Sequence, residues 1–369
     1  MKRAATLLSL VLALGAAELK AHHGGSLYDS SRTVTVRGPV TRFHFVYPHT
    51  LVYIAVTAQD GQTVEWSGEL TTPNRLARGR AAGSATPIRW TANTLLPGDV
   101  IELTGNPARN GAPSMRIRGL VEANGRALIG GEEAFEIERG TASAEPLPSG
   151  NGADLRGVWI RNYAHSYENY AFTEAPPPMT PWAEARFGAA RPVFGPDAVP
   201  VVQTNDPTYR CLPPGVPRIY AHPSPLEIFQ FSDRVMIVYE YQSQVRQVFT
   251  DGRAHREGRP RSFMGESIGR WEGDVLVVET ANFNERTWID RRGVPHSDQL
   301  RVVERIHRGD NGQLVVDISV EDPVAFTEPW SARRVFDSVN WRLEESVCVE
   351  NALLEEFSQF EREIMDYGG

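Results

Sequence analysis

Residues 226–250 read LEIFQFSDRVMIVYEYQSQVRQVFT, with apolar side chains at every second position. This alternation predicts three β-strands, Leu226–Phe231, Val235–Tyr241 and Gln244–Thr250. The same pattern recurs in Ser267–Trp271, Val275–Thr280, Leu300–His307, Leu314–Val320 and Trp341–Val347, with turns at Ser232-Asp233, Asp251-Gly252, Glu272-Gly273-Asp274 and Asp310-Asn311-Gly312. Short strands joined by Asp-Gly and Asn-Gly turns predict an antiparallel barrel.

The domain that contains this barrel is expected to cover residues 154–369. It opens with a Gly-x-Trp strand, Gly157-Val158-Trp159, and a Pro-rich segment, Glu174–Pro225, is long enough to be a lid or wrap. Apolar residues at helical spacing between Val349 and Asp366 predict a C-terminal amphipathic helix.

A second all-β domain is expected over residues 22–137. A three-stranded meander runs from Thr33 to Trp66, a short helix follows near Asn74–Gly79, and two further strands occupy Val100–Gly105 and Met115–Glu122. Five strands with a helix between the third and fourth predict an OB-fold-like barrel. Residues 138–153, rich in Gly, Ser, Ala and Pro, are expected to link the two domains.

Residues 1–21 have the pattern of an export signal. Lys2 and Arg3 precede the apolar run Ala4–Ala17, and Ala21 is the small residue before the cleavage point. The mature protein would begin at His22, be periplasmic or secreted, and contain no transmembrane segment. The chain has a formal net charge of −8, which disfavours nucleic acid as a partner.

Cys211 and Cys348 are the two cysteines of the chain. In an oxidising compartment an even number of cysteines predicts a disulfide. Metal ligation by two isolated cysteines is the weaker alternative.

Both domains resemble exported families without assigned activity. The first resembles an uncharacterised bacterial family through Ala21-His22-His23, Tyr47-Pro48-His49, Trp66-Ser67-Gly68-Glu69, Thr72-Pro73-Asn74 and Leu96-Pro97-Gly98-Asp99. The second resembles another such family through Cys211–Arg218, Gly269–Asp274 and Glu321-Asp322-Pro323, and its Gly-x-Trp start is similar to the lipocalin-like, or calycin, barrels. Neither resemblance implies a reaction.

The histidines near the mature N-terminus suggest a copper site. The terminal amine and imidazole of His22, or the neighbouring His23, could chelate copper, with His49 as the third ligand and His44 as its substitute. The alternative is a solvated terminus beside a loop histidine.

Strand alternation places carboxylates among apolar residues. Glu304 shares a face with Leu300, Val302 and Ile306, and Glu279 shares one with Val275 and Val277. Inside a barrel these acids need partners, for which Arg246 and Arg270 are candidates. Glu240 is a third such acid, on a face with Met236 and Val238. The alternative is that the larger apolar set on the opposite face, Val235, Ile237, Tyr239 and Tyr241, faces inward and leaves Glu240 in water.

Loop residues form a third candidate group, because loops at a barrel mouth often carry function. Tyr163, His165 and Tyr167 follow the first strand, Arg218 and His222 lie in the Pro-rich wrap, and His296 stands in a later loop.

Two functions remain open. The first is an exported protein that binds a small, partly apolar ligand in the second barrel, with copper at the N-terminus. The alternative is a cofactor-independent lyase, isomerase or hydrolase in which Glu304 or Glu279 works with His296 or His165 as acid and base, while Arg246, Arg270, Tyr163, Tyr167, Arg218 and His222 hold the substrate. No Gly-x-Ser-x-Gly, P-loop, dinucleotide or CxxC motif supports other chemistry.

Overall fold

The computed structural model describes residues 27–130 and 153–348, apart from residues 48, 59, 82–83, 87, 166, 168–170, 196 and 200–202. The predicted signal peptide, all but the last residue of the predicted linker and the predicted C-terminal helix lie outside these residues. No helix in the described part is long and apolar enough to cross a bilayer.

The first barrel has the strand order of an OB-fold. Its strands are β1 (Val34–His44), β2 (Leu51–Thr57), β3 (Thr63–Glu69), β6 (Val100–Pro107), β7 (Ser114–Glu122) and β8 (Ala127–Ile129), with helix α1 (Pro73–Ala77) and a small hairpin of β4 (Arg80–Ala81) and β5 (Ser84–Ala85) between β3 and β6. A parallel pairing of β3 with β7 closes a five-stranded ring, β1-β2-β3-β7-β6. The predicted OB-fold-like barrel is confirmed.

Glycines permit the tight curvature of this barrel. At Gly105 a register shift occurs between β6 and β7, and a Cβ atom there would lie 2.2 Å from the carbonyl oxygen of Arg116. Only glycine allows this approach of two backbones, and such bulges bend a strand around a barrel corner. The apolar core inside includes Leu76, Trp90 and Ile101.

The second barrel closes with nine strands. They are β9 (Gly157–Arg161), β10 (Leu226–Gln230), β11 (Arg234–Tyr239), β12 (Gln244–Phe249), β13 (Glu266–Glu272), β14 (Val275–Ala281), β15 (Arg301–Arg308), β16 (Leu314–Glu321) and β17 (Trp330–Val339), paired in chain order with β17 against β9. All pairs are antiparallel except β12 with β13, which run parallel.

The last strand differs from the prediction. β17 is Trp330–Val339, whereas residues 340–348 leave the barrel without strand structure. Trp341 and Leu343 alternate as a strand would, but they pack on the outer wall against Val158 and Ile160. The alternation in 341–347 therefore reflects contact with an outer surface. We call residues 340–348 the strap.

The Pro-rich wrap fills one end of the second barrel. It contains helix α2 (Pro181–Gly188) and 3-10 turns at Pro207–Arg210 and Arg218–Ala221, and further 3-10 turns lie at Tyr163–His165 and Tyr241–Ser243. Val216, Ile219 and Tyr220 from the wrap join the barrel core, in which Trp159 is fully buried. The barrel interior is therefore a packed core plugged by its own wrap.

The predicted disulfide is present. Cys211 and Cys348 are bonded, with their Cα atoms 5.5 Å apart, and the bond ties the wrap to the end of the strap.

Candidate functional site

Glu304 and Arg246 form a fully buried ion pair inside the second barrel. The strand alternation predicted this inward position of Glu304. Arg246 donates to both carboxylate oxygens of Glu304, with Nη1 2.9 Å from Oε1, and also to Ser267, Tyr220 and Thr280. These bonds use all five guanidinium N–H groups. Burial opposes the charge of Arg246, but the Glu304 carboxylate outweighs it and raises the pKa of Arg246.

This arrangement is that of a structural ion pair. Glu304 is 0% exposed, and its hydrogen bonds among the described residues all come from Arg246. His296 does not hydrogen-bond to Glu304, so the geometry does not favour an acid–base pair of these two residues.

Glu279 does not face inward, and that expectation is wrong. The side chain of Glu279 is 30% exposed on the outer wall, where Oε2 accepts a hydrogen bond of 2.7 Å from Arg301. Leu276, Val278 and Thr280 form the inward face of β14. Val277 and Val278 lie on opposite faces of this strand, and both are apolar and buried. Alternation by itself could therefore not decide which face points into the barrel.

Arg270 also lies outside, paired with Glu272, and its side chain is 65% exposed.

Glu240 behaves differently from the expectation as well. Val235, Ile237 and Tyr239 do face inward, but Glu240 is only 4% exposed because the first barrel covers it.

The candidate loop residues are distributed over several places. Arg218 makes a buried bidentate ion pair with Asp206, with N–O distances of 2.9 and 2.6 Å. Tyr163 lies under the Arg161 guanidinium at 4.5 Å, and Tyr167 is exposed beside Phe172. The side chain of His165 lies outside the described part.

His296 is a buried, neutral histidine. Its Nδ1 lies 2.9 Å from the Ser297 carbonyl oxygen, so this nitrogen carries the proton and donates it. Burial lowers the pKa of His296. The ring packs edge-on against Phe283. His296 is therefore a core histidine held by its neighbours.

A cavity between the two barrels gathers the residues that could contact a ligand. Its volume is about 160 Å³. The first barrel contributes polar side chains and one tyrosine: Tyr47, His49, Thr71, Thr72, Arg75 and Arg116. The second contributes four rings, Phe194, Tyr209, His222 and Tyr241, together with Thr208, Pro223, Ser224, Gln242, Arg291 and the strap residues Ser346, Val347 and Cys348. We call this space the interdomain cavity.

Aromatic rings of the second barrel form one wall of the cavity. His222 stacks on Tyr241 with ring centroids 3.7 Å apart, and the guanidinium of Arg291 lies 4.8 Å from the Phe194 ring centre. Burial raises the pKa of Tyr241 to about 12, against an opposing effect of Arg218 and Arg291. The hydroxyl of Tyr241 therefore stays protonated at neutral pH and can donate a hydrogen bond.

His49 is oriented by a buried carboxylate. Its Nδ1 pairs with Oε1 of Glu69, while Oε2 of Glu69 accepts a hydrogen bond of 3.1 Å from the Tyr28 hydroxyl. A carboxylate on one ring nitrogen fixes the tautomer and directs the other nitrogen, Nε2, toward a metal or ligand.

The copper prediction cannot be followed further in the structure, since His22 and His23 lie outside the described residues. Within 27–130 and 153–348, no group of three metal-ligating side chains occurs. His44, the substitute ligand, packs against the Tyr53 ring at 5.6 Å.

Several cavity residues were missed by the sequence reasoning, namely Arg75, Arg116, Tyr209, Tyr241 and Arg291. A signal was present in the motifs of the first domain. Tyr47-Pro48-His49, Thr72-Pro73-Asn74 and Glu69 lie far apart in sequence, yet the hydroxyl of Tyr47 donates to Asn74, and His49 pairs with Glu69. Three motifs that share contacts mark one surface, and that surface faces the second barrel.

Comparison with known proteins identifies one family. Residues 10–117 match a family of unknown function, DUF6152, which covers most of the first barrel. No curated protein and no solved structure matches the chain.

Proposed function

We propose that the mature protein is exported and binds a small, partly apolar molecule in the interdomain cavity. The observation that carries this proposal is the cavity itself, in which four rings from the second barrel meet polar side chains from both barrels. Ligand sites are typically concave, largely apolar and located between domains, with a few converging polar groups. The packed interior of the second barrel makes the cavity the better site.

The volume limits the size of the ligand. A buried space of about 150 Å³ accepts one benzene ring, and the interdomain cavity holds about 160 Å³. Stacked His222 and Tyr241 offer a flat surface to such a ring. The expected ligand therefore has a single ring or an apolar body of similar size.

Export is supported by the signal pattern of residues 1–21 and by the disulfide. A bond between Cys211 and Cys348 persists in an oxidising compartment such as the periplasm or the extracellular space. Sequencing the N-terminus of the exported protein should return His22 as the first residue.

The binding proposal is tested by filling the cavity. Ligand-observed NMR with benzamide and benzoate as probes should detect binding of at least one of them to the mature protein. Thr71→Trp places a large ring in the cavity and should abolish that binding. Thr57→Trp, at the exposed end of β2, should leave it unchanged. Equal binding by both variants, or no binding to the wild type, would rule out the cavity as the site.

A second function, copper binding by the N-terminus with His49, is favoured by the Glu69–His49 pair. The processed protein should bind Cu(II) more tightly than a form that retains residues before His22. His49→Ala should weaken binding, and His307→Ala, on β15 of the second barrel, should not. Equal affinity of the processed and unprocessed forms would contradict this site.

A further inference from the structure

We infer that the ligand of the interdomain cavity is an organic anion, whose charged group is bound by Arg75 and Arg116. This inference rests on the proposed function and adds the chemical class of the ligand. It starts from the charges that line the cavity. Arg75 comes from α1, Arg116 from β7, and Arg291 from the second barrel's loops, and all three reach the same space.

Two of these arginines form no ion pair with the part of the chain that the structure describes. Neither Arg75 nor Arg116 has a side-chain hydrogen bond or ion pair with any residue in the described ranges, and both are half-buried. Buried Arg334 likewise pairs with no carboxylate of the described residues, but it donates to the carbonyl oxygens of Arg333 and Ala171. Three further arginines are neutralised. Arg78, Arg218 and Arg246 each form a bidentate pair with a carboxylate.

The carboxylate next to Arg116 in the sheet is already engaged. Glu69 on β3 is the register partner of Arg116 on β7. However, His49 and Tyr28 bind the two oxygens of Glu69, and no ion pair joins Glu69 to Arg116. The cavity therefore presents two guanidinium groups, and none of the described residues that line it is an acid that could neutralise them.

Guanidinium groups suit planar anions. An arginine can donate two parallel N–H groups to a carboxylate, and such charge-assisted bonds are stronger than neutral ones. The hydroxyl of Tyr241 supplies one more donor, and the aromatic wall can contact the apolar part of the ligand. Together they complete a site for a carboxylate carried on a ring-sized apolar body. The cavity volume of about 160 Å³ matches such a ring-sized anion.

The test compares two probes of nearly equal shape. Benzoate carries a negative charge and benzamide does not. Calorimetric titration of the mature protein with each probe therefore measures how much the charge contributes to the binding affinity. We expect benzoate to bind at least about 10-fold more tightly at low salt, with the difference reduced at 200 mM NaCl as the charges are screened. Arg75→Gln and Arg116→Gln should each remove most of this preference, whereas Arg37→Gln, on the exposed side of β1, should retain it.

A second measurement separates a binding role from a structural one. Because Arg75 and Arg116 make no ion pairs with described residues, their Gln variants should melt at the wild-type temperature or above it in the absence of ligand. Lower melting temperatures would mean that these arginines stabilise the fold, and would overturn the inference.

The possible failures are distinguishable. Benzamide binding as tightly as benzoate would overturn the anion inference and leave the cavity proposal intact. If neither probe binds, both fail. Sodium sulfate that competes as well as benzoate would show a general anion site and would overturn the requirement for an organic body.

Discussion

Arg78, which follows the helix of the first barrel, donates two hydrogen bonds to Glu240 of the second barrel, with Nη1–Oε1 2.9 Å and Nη2–Oε2 2.6 Å. Their side chains are 10% and 4% exposed. Glu240 also accepts a hydrogen bond from the backbone N–H of Glu344, and Arg78 donates to the carbonyl of Arg342. One ion pair thus joins both barrels and the strap, and fixes the walls of the interdomain cavity.

Arg78→Met should destabilise the contact between the barrels. Glu240 would remain covered without its guanidinium, and breaking a buried ion pair costs about 3–5 kcal/mol. We expect a loss near the lower end, because separation of the barrels lets water reach Glu240. Calorimetry should show a lower or split transition and weaker probe binding. Arg270→Met, which removes a surface pair, should change stability by less than about 1 kcal/mol.

Glu304→Gln should destabilise the second barrel without changing the ligand site. The change leaves the Arg246 guanidinium buried without a counter-charge, which predicts a loss of about 3 kcal/mol or more in the free energy of unfolding. Glu279→Gln, on the outer wall, should lose less than about 1 kcal/mol. Urea unfolding measures both. A Glu304→Gln protein of wild-type stability that no longer binds its ligand would contradict the structural role.

Removal of the disulfide should loosen the strap as well as the second barrel. The bond closes a loop of 137 residues, and the chain-entropy model gives about 5 kcal/mol for such a loop. The strap end lines the cavity, and Asn74 of the first barrel donates to the Glu345 carbonyl. Cys211→Ser with Cys348→Ser should therefore lower the melting temperature and weaken probe binding. Unchanged binding would show that the strap does not shape the cavity.

His296 should make stability depend on pH below neutrality. Burial lowers its pKa in the folded state from the ordinary value of 6.5. The stability that depends on neutral His296 is therefore fully present above about pH 6.5. As the pH falls below that value, the unfolded chain takes up a proton that the folded chain does not. The free energy of unfolding then decreases, by at most about 1.4 kcal/mol per pH unit from this group.

The measurement is urea unfolding of the wild type and His296→Asn at pH 7.5, 6.5 and 5.5. Asn keeps a donor for the Ser297 carbonyl but does not titrate. The wild type should lose more stability than the variant between pH 6.5 and 5.5. Parallel pH profiles for the two proteins would assign the acid sensitivity to other groups.

Local patterns were sufficient for the five ring strands of the first barrel and for eight of the nine strands of the second. Alternation identifies strands because neighbouring side chains point to opposite faces, and the turn residues mark where the strands end. The same rule failed at β17. Arg334 faces inward there, between Trp330 and Phe336, and the strand also carries the charged residues Arg333 and Asp337. A buried arginine among apolar residues removes the periodic signal on which such a prediction depends.

The sequence by itself determined the two β-barrels, the order of strands in the first and the pairing of the two cysteines, since these follow from local periodicity, turn chemistry and an even cysteine count. Only the tertiary structure decided which charges are neutralised. Arg78 and Glu240 are 162 residues apart, yet they meet between the barrels, whereas Arg75 lines the cavity and forms no ion pair with any described acid. Ion pairing depends on distances between segments that are remote in sequence, and no local pattern contains those distances.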